Sequence, residues 1–322
     1  VLHLRVISPA DKTAALMRLL EDDPGATHIT LARGVAVKPH GDLVQADVAR
    51  EGANQLLARI RAMGIPETGG ITIGPIDAVM SDAADRAVED APGDPSDAVV
   101  WEKLLSDTHE ESSLNATFVA FLTIACLLAA IGVSTNSPVT VVGAMVVGPE
   151  FGPLAALSVG LMLRNWALVR RSVTALAVAF PIAMVVTLGA TMAWEHFGWI
   201  TTEGVIDAHN VDFIYQVGPF SLVVALLAGA AGMLSLVTAK SAALIGVFIS
   251  VTTVPAAGYA VVAVTLGQWH RAFESVGQLA VNLLGIVVAG VAVLLLRPRV
   301  GEEEGLVGRF KRLIGMRTVL PR

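Results

Sequence analysis

The chain reads as an α-helical multi-pass membrane protein of six spans, arranged as inverted three-helix repeats with two broken helices. An α+β, ferredoxin-like domain precedes the spans. Three observations lead there. Hydrophobic residues make up 54% of the 322, and the mean hydropathy is +0.67, too apolar for an ordinary soluble protein of this length. Charge is segregated: up to Glu111 there are 10 Lys+Arg against 19 Asp+Glu, and from Ser112 onward 12 against 9. Finally, one carboxylate, Glu150, stands inside the apolar stretch 138–163, which holds no other charge.

The head reads as alternating strands and helices. LHLRVI (2–7) is strand-like and ends at Ser8 and Pro9. Asp11 is placed to start a helix to Leu20 with Ala15, Leu16, Leu19 and Leu20 on one face. Residues 27–37 and 43–49 follow as strands, the second alternating apolar and polar residues. Glu51 to Met63 is an amphipathic helix, and 71–76 a last strand. The order βαββαβ predicts the ferredoxin-like arrangement over 1–76, with Leu4, Val6, Leu16, Leu19, Ile29, Val44, Leu57, Ile60 and Ile73 in its core. That fold assigns no function by itself.

Residues 77–97, rich in Ala, Asp, Pro and Gly, read as a flexible acidic linker. In 97–112, Val100, Trp101, Leu104 and Leu105 recur at helical spacing. This fits a helix on the membrane surface with Trp101 at headgroup depth, or a helix packed on the head. Together 77–112 form the connection to the core.

The core, 113–296, holds spans near 114–133, 138–163, 168–193, 218–238, 241–266 and 275–296, each long enough to cross the hydrocarbon. Arg164, Arg170 and Arg171 follow span two, Lys240 follows span four, and Arg297, Arg299, Arg309, Lys311 and Arg312 follow span six. The loop 194–217 carries Glu195, Glu203, Asp207 and Asp212 with no Lys or Arg. The bias predicts an inner (plasma) membrane protein with both termini cytoplasmic. The first residues lack the pattern of a cleavable leader, so the first span is expected to direct insertion. The tail, 297–322, reads as a basic amphipathic helix on the inner leaflet or as a disordered segment.

Shifting the sequence by 103 residues places Gly143 on Gly246, Asn165 on Gln268, Trp166 on Trp269, Ser172 on Ser275 and Leu176–Val178 on Leu279–Val281. With three spans in each half, the second half enters the membrane in the opposite sense, a transporter-like design. Prolines are expected to interrupt the second span near Gly148–Pro153 and the fifth near Thr252–Pro255.

The segments GAMVVGPEFGPL (143–154), RNWALVRRS (164–172), VTTVPAAGYA (251–260) and NLLGI (282–286) resemble the uncharacterised hydrophobic-domain family of bacteria and archaea, domain of unknown function 389. The resemblance covers most of 112–296 and implies a multi-pass membrane protein, without a substrate. Gly148 stands where that family commonly has serine, and Glu150 where it has an apolar residue.

The expected site is an ion- or solute-binding group at the two interruptions. Glu150 is its charge carrier. Gly148, Pro149, Gly152 and Pro153 free backbone groups around it; Thr252 and Thr253, before Pro255, supply hydroxyls; Asn282 and Asn115 supply amides. The competing role for Glu150 is to cap a half-helix or bridge protomers, and for the hydroxyls and amides to join helices. Glu195, His196, Glu203, Asp207, His209 and Asp212 match no specific metal spacing, and His3, His28, His40 and His109 are scattered. No hydrolase triad, phosphate-binding glycine loop or CxxC pair is present, and no cofactor, catalytic residue or nucleic-acid surface is expected. Cys126 is the only cysteine. The expectation is a transporter or channel for an ion or small solute, proton- or cation-coupled, homo-oligomeric, with a regulatory head. The alternative is a membrane sensor whose head binds a ligand or partner; an enzyme acting on lipid stands third.

Overall fold

The computed structural model describes residues 1–76, 78–91, 101–200, 219–238 and 243–296. The tail after 296 and most of the loop 194–217 therefore lie outside the described residues, as do 92–100. Two compact units divide at Leu104/Leu105.

The first unit holds β1 (Leu2–Ser8), α1 (Ala10–Glu21), β2 (Ala26–Val37), β3 (His40–Val48), α2 (Ala53–Ala62), α3 (Ile65–Thr68) and β4 (Gly70–Pro75). The four strands form one antiparallel sheet in the order β2-β3-β1-β4. Register follows the apolar alternation. Leu2, Leu4 and Val6 face Val48, Ala46 and Val44, so the buried set of both strands lies on one face. Leu16 and Leu20 of α1 and Leu56, Leu57 and Ile60 of α2 cover that face. Of the expected core, Leu19, Ile29 and Ile73 are only partly buried. Leu2, Leu20, Ala46, Val48, Ala53, Leu56 and Ile65 complete it.

The expected linker contains a helix, α4 (Asp82–Asp90). The Ser81 hydroxyl accepts from the backbone N–H groups of Ala83 and Ala84 at 3.2 and 3.4 Å. Asp82 and Asp85 in the first turn complement the helix dipole, and Ala84 and Ala87 are buried. Linker-like composition concealed a short capped helix. α5 (Trp101–Glu111) begins with Trp101 at 2% exposure. Its backbone N–H donates to Asn54 Oδ1 at 3.2 Å, which agrees with a helix start packed on the head rather than with Trp101 at headgroup depth.

The second unit holds α6 (Ala116–Ser134), α7 (Pro138–Val147), α8 (Phe151–Met162), α9 (Trp166–His196), α10 (Pro219–Thr238), α11 (Ala243–Thr265) and α12 (Trp269–Leu295). Among the described residues, α6, α9, α10 and α12 are each long and apolar enough to cross a membrane. The pair α7–α8, bent by 53°, makes a fifth candidate. Phe121, Val185, Phe220, Leu227, Phe273 and Leu284 are exposed, as lipid-facing side chains are. The contiguous core instead gathers small residues: Ala125, Ala129, Ala175, Ala179, Ala183, Ala225 and Ala257.

At the centre is α11. Residues 253–263 are buried all round, and the helix packs on α6, α7, α9, α10 and α12. The expected interruption at Thr252–Pro255 is absent: α11 runs through Pro255 as one helix. Proline removes one hydrogen bond and crowds the preceding turn, but no glycine adjoins Pro255 to let the chain leave the helix. Small Ala256, Ala257 and Gly258 follow. A Cβ on Gly258 would stand 2.6 Å from the Ala129 Cβ, so α6 and α11 meet with backbones nearly touching.

Candidate functional site

Span two breaks for local reasons. The residue before a proline is driven out of the helical region, and Gly148, before Pro149, is extended at φ −64, ψ 124. Helical geometry resumes at Glu150, the N-cap of α8, at φ −68, ψ −15. Pro153 falls in the first turn of α8, where its missing N–H leaves no intrahelical bond unmade. The break therefore occupies 148–150, and the Gly152–Pro153 pair belongs to a helix start.

Glu150 is fully buried. Its side chain does not cap α8. It reaches α11 instead, where Thr253 Oγ1 donates to Glu150 Oε1 at 2.5 Å. Thr253 is also fully buried. Among the described residues of the whole chain, Glu150 and Asp42 of the head are the only buried Asp, Glu, Lys or Arg. The N-terminal end of α8 and the C-terminal end of α7 meet at this residue, where helix ends leave N–H and C=O groups without intrahelical partners.

Residues 145–288, which include this site, match the family model described as Domain of unknown function (DUF389). An uncharacterized protein of Methanocaldococcus jannaschii is similar, 20% identical over 197 residues, or 61% of this chain. The match spans 58% of that relative's own length, and the relative carries no stated activity. No solved structure matches the chain.

Within the matched stretch, Thr253 and Asn282 lie at one depth. Thr253 is 12 residues back from the end of α11 at Thr265, and Asn282 is 13 on from the start of α12 at Trp269. At about 1.5 Å per residue both stand roughly 18–20 Å from the turn joining these packed helices. Asn282 is fully buried, and its Oδ1 accepts from Gln278 Nε2 at 3.2 Å. Thr252 is on α11, but its side chain lies outside the described set. Asn115 is not brought to the group. It is exposed before α6, outside the matched stretch, where its Oδ1 accepts from the Phe118 N–H at 2.7 Å as a helix cap.

Among the buried polar residues that the sequence reading did not assign to the site are Ser158, Ser275 and Gln278. Ser158 of α8 donates to the Leu154 and Val287 carbonyls at 3.0 and 3.3 Å, joining α8 to α12. Ser275 and Gln278 share the Asn282 side of α12, at 0 and 2% exposure. Their signal was available: polar residues at 275, 278 and 282 of an apolar helix recur at three and four.

The head holds a second polar group. His3 Nδ1 and His28 Nδ1 bracket the Asp47 carboxylate at 2.8 and 2.7 Å, and His28 Nε2 meets Ser81 Oγ at 2.8 Å. Partial burial raises the Asp47 carboxyl, but the hydrogen bonds and charges of the two imidazoles outweigh it and hold the group below the usual carboxylate range. Among the described residues no cluster of three His, Cys, Asp or Glu is arranged to hold a metal.

Proposed function

We propose that this chain is a six-span transporter or channel for an ion or small solute, coupled to protonation or cation binding at Glu150. The carrying observation is the buried Glu150 at a helix break, held by a hydroxyl from the central helix. A carboxylate in low dielectric is stable as the neutral acid or beside a positive charge. A group that must gain or shed a unit charge in place is suited to coupling. Broken helices at mid-membrane typically line such sites.

The two-half architecture adds support. Leu163 and Leu266 N–H groups donate to the Val159 and Val262 carbonyls at 2.9 and 3.1 Å. Asn165 and Gln268 N–H groups donate to Gly160 and Ala263, both at 2.8 Å. Arg164 and Gly267 both take positive φ, 54 and 71. Every pair is related by the 103-residue shift. Similar turns end α6 and α9, so the weight lies in the register and in the Asn-Trp and Gln-Trp that follow. Glu150 and Thr253 are also 103 apart. Equivalent residues of two-fold-related halves touch only near their shared axis. On this reading the site sits on the axis of an inverted repeat, with α11 as the fifth span, unbroken.

The sheet order β2-β3-β1-β4 with all neighbours antiparallel supports a ferredoxin-like head; its regulatory role, on the cytoplasmic side of the inner membrane, belongs to the proposal. Homo-oligomerisation within the lipid bilayer belongs to the same proposal. The sensor alternative draws on the His3–Asp47–His28 group, which ties three strands to the start of α4 through Ser81.

The test is purified protein in liposomes against a panel of ions and small metabolites, with Glu150→Gln beside it. Gln keeps the shape and removes the titration. The expected result is flux whose pH or cation dependence vanishes in the variant. Flux with an unchanged pH profile would make Glu150 structural.

A further inference from the structure

Ser275 Oγ and Gln278 Oε1 are buried and have no hydrogen-bond partner among the described residues. Buried hydroxyls in helices ordinarily bond back to the carbonyl one turn earlier. Ser172, at the position 103 residues before Ser275, does so to the Leu168 carbonyl at 2.9 Å. Ser275 does not. Leaving a buried polar atom without a partner costs about 1–3 kcal/mol, and native interiors meet that demand with internal water. The Gln278–Asn282 contact uses one end of the Gln278 amide, so whichever way that amide is turned its other end lacks a partner.

These atoms lie in sequence along one side of α12. Ser275, Gln278 and Asn282 are spaced three and four apart, and Arg271 precedes them by four. Arg271 donates to the Tyr259 hydroxyl at 3.3 Å, near the turn between α11 and α12, with His270 and Glu274 close by in sequence and paired at 3.4 Å. Asn282 ends the series at the depth of Thr253, hence of Glu150. From Ser275 to Asn282 the polar groups are neutral hydroxyls and amides, each able to donate and accept. Nothing along that part of the stripe carries the negative charge a dehydrated metal cation needs, and Arg271 adds a fixed positive charge at its start.

We infer that the Ser275–Gln278–Asn282 side of α12 holds a file of water molecules linking the α11–α12 turn to Glu150, the route by which that carboxylate exchanges its proton. The terminal water, protonated, gives a proton to the Glu150 carboxylate and is left neutral; the reverse transfer empties the site. The end point rests on the coupling role proposed for Glu150, whereas the water file rests on α12 alone.

The test places cysteines in full-length protein whose own Cys126 is replaced by Ala. Ser275→Cys is nearly isosteric, and Gln278→Cys and Ile286→Cys are made beside it. Ile286 is equally buried, at 2% exposure, in an apolar setting on the same helix. A small neutral methanethiosulfonate reacts with the thiolate, which forms where water solvates it. Labelling at 275 and 278 is expected to run at least about tenfold faster than at 286, the ratio that one unit of thiol pKa produces. If Gln278→Cys fails to elute as the folded parent, Ser275→Cys decides alone. Position 275 reacting as slowly as 286 overturns the water file. Glu150→Gln separates the two proposals: fast labelling with an unchanged pH profile of flux keeps the file and removes Glu150 as its end, and slow labelling with an altered profile does the reverse.

Discussion

At the scale of single residues, the pair Glu150–Thr253 is where sequence and structure agree most closely and where a substitution is most informative. Thr253→Val keeps the shape and removes a donor to a buried carboxylate. Hydrogen bonds to charged groups are worth about 1.5–3 kcal/mol, so the variant is expected to unfold earlier in detergent by a loss of that order. Unchanged thermal unfolding would show that the hydroxyl contributes nothing there. Glu150 was legible because a lone carboxylate in an apolar span is conspicuous in any sequence. Thr253 was legible only as one of two adjacent hydroxyls, since which of them faces α8 depends on helix rotation. Asn115 is ambiguous for a related reason: an amide just before an apolar run is equally a helix cap, and here it accepts the Phe118 N–H. His3, His28 and Asp47 were not legible as a group, because they meet only once β1, β2 and β3 are laid side by side, with His3 opposite Asp47.

Among the elements, two proline-bearing spans behave differently. In the α7–α8 span, Gly148 before Pro149 gives the chain an inexpensive way out of the helix; in α11, Val254 before Pro255 does not. Sequence marks both prolines, and the residue before each separates them: α9 likewise runs unbroken through Pro181, which follows Phe180. The enclosure of α11 has its own test. A side chain at Gly258 would press on Ala129 Cβ at 2.6 Å and the Ala130 nitrogen at 3.0 Å. Gly258→Val is expected to cost at least about 1–3 kcal/mol by overpacking, read as a lower thermal midpoint and loss of monodisperse elution. The head supplies a pH test. Asp42 accepts the Gly34 N–H at 2.8 Å. That bond, with Thr13 and Arg33, holds its carboxyl low, as the imidazoles hold Asp47 low. A depressed folded pKa adds stability that is complete above the unfolded value, about 4, and is lost as pH falls through the folded value. Residues 1–91, expressed alone, are therefore expected to fold at neutral pH and to lose stability below about pH 4. Asp47→Asn should flatten that acid limb while costing less than about 1 kcal/mol at pH 7, its pairing being partly solvated. An acid limb identical in the variant would remove Asp47 from the account.

For the whole molecule, the question is how two halves of one chain face the membrane. Span number and repeat were legible only in part, because apolar matches are cheap in membrane helices and the 103-residue shift rested on few distinctive residues. The turns after α8 and α11 now add hydrogen bonds in the same register. If the halves are equivalent, each contributes three crossings. An odd number reverses the second half, so the Arg164 turn and the Gly267 turn must lie on opposite sides. Their companions fit: Trp166 and Trp269, exposed at 65 and 59%, begin α9 and α12, and indole rings favour both membrane interfaces. By the positive-inside bias, Arg164, Arg170 and Arg171 predict the first turn inside. Reporter fusions are therefore expected to place Arg170 in the cytoplasm and Asp207 and Gln268 outside. This geometry requires α11 to cross fully despite Pro255. Were α11 to turn back partway, Gln268 would report the same side as Arg170, the halves would not be inverted copies, and Glu150 and Thr253 would meet off any two-fold axis. The Gln268 reporter therefore decides the architecture, and with it the argument for an axial site.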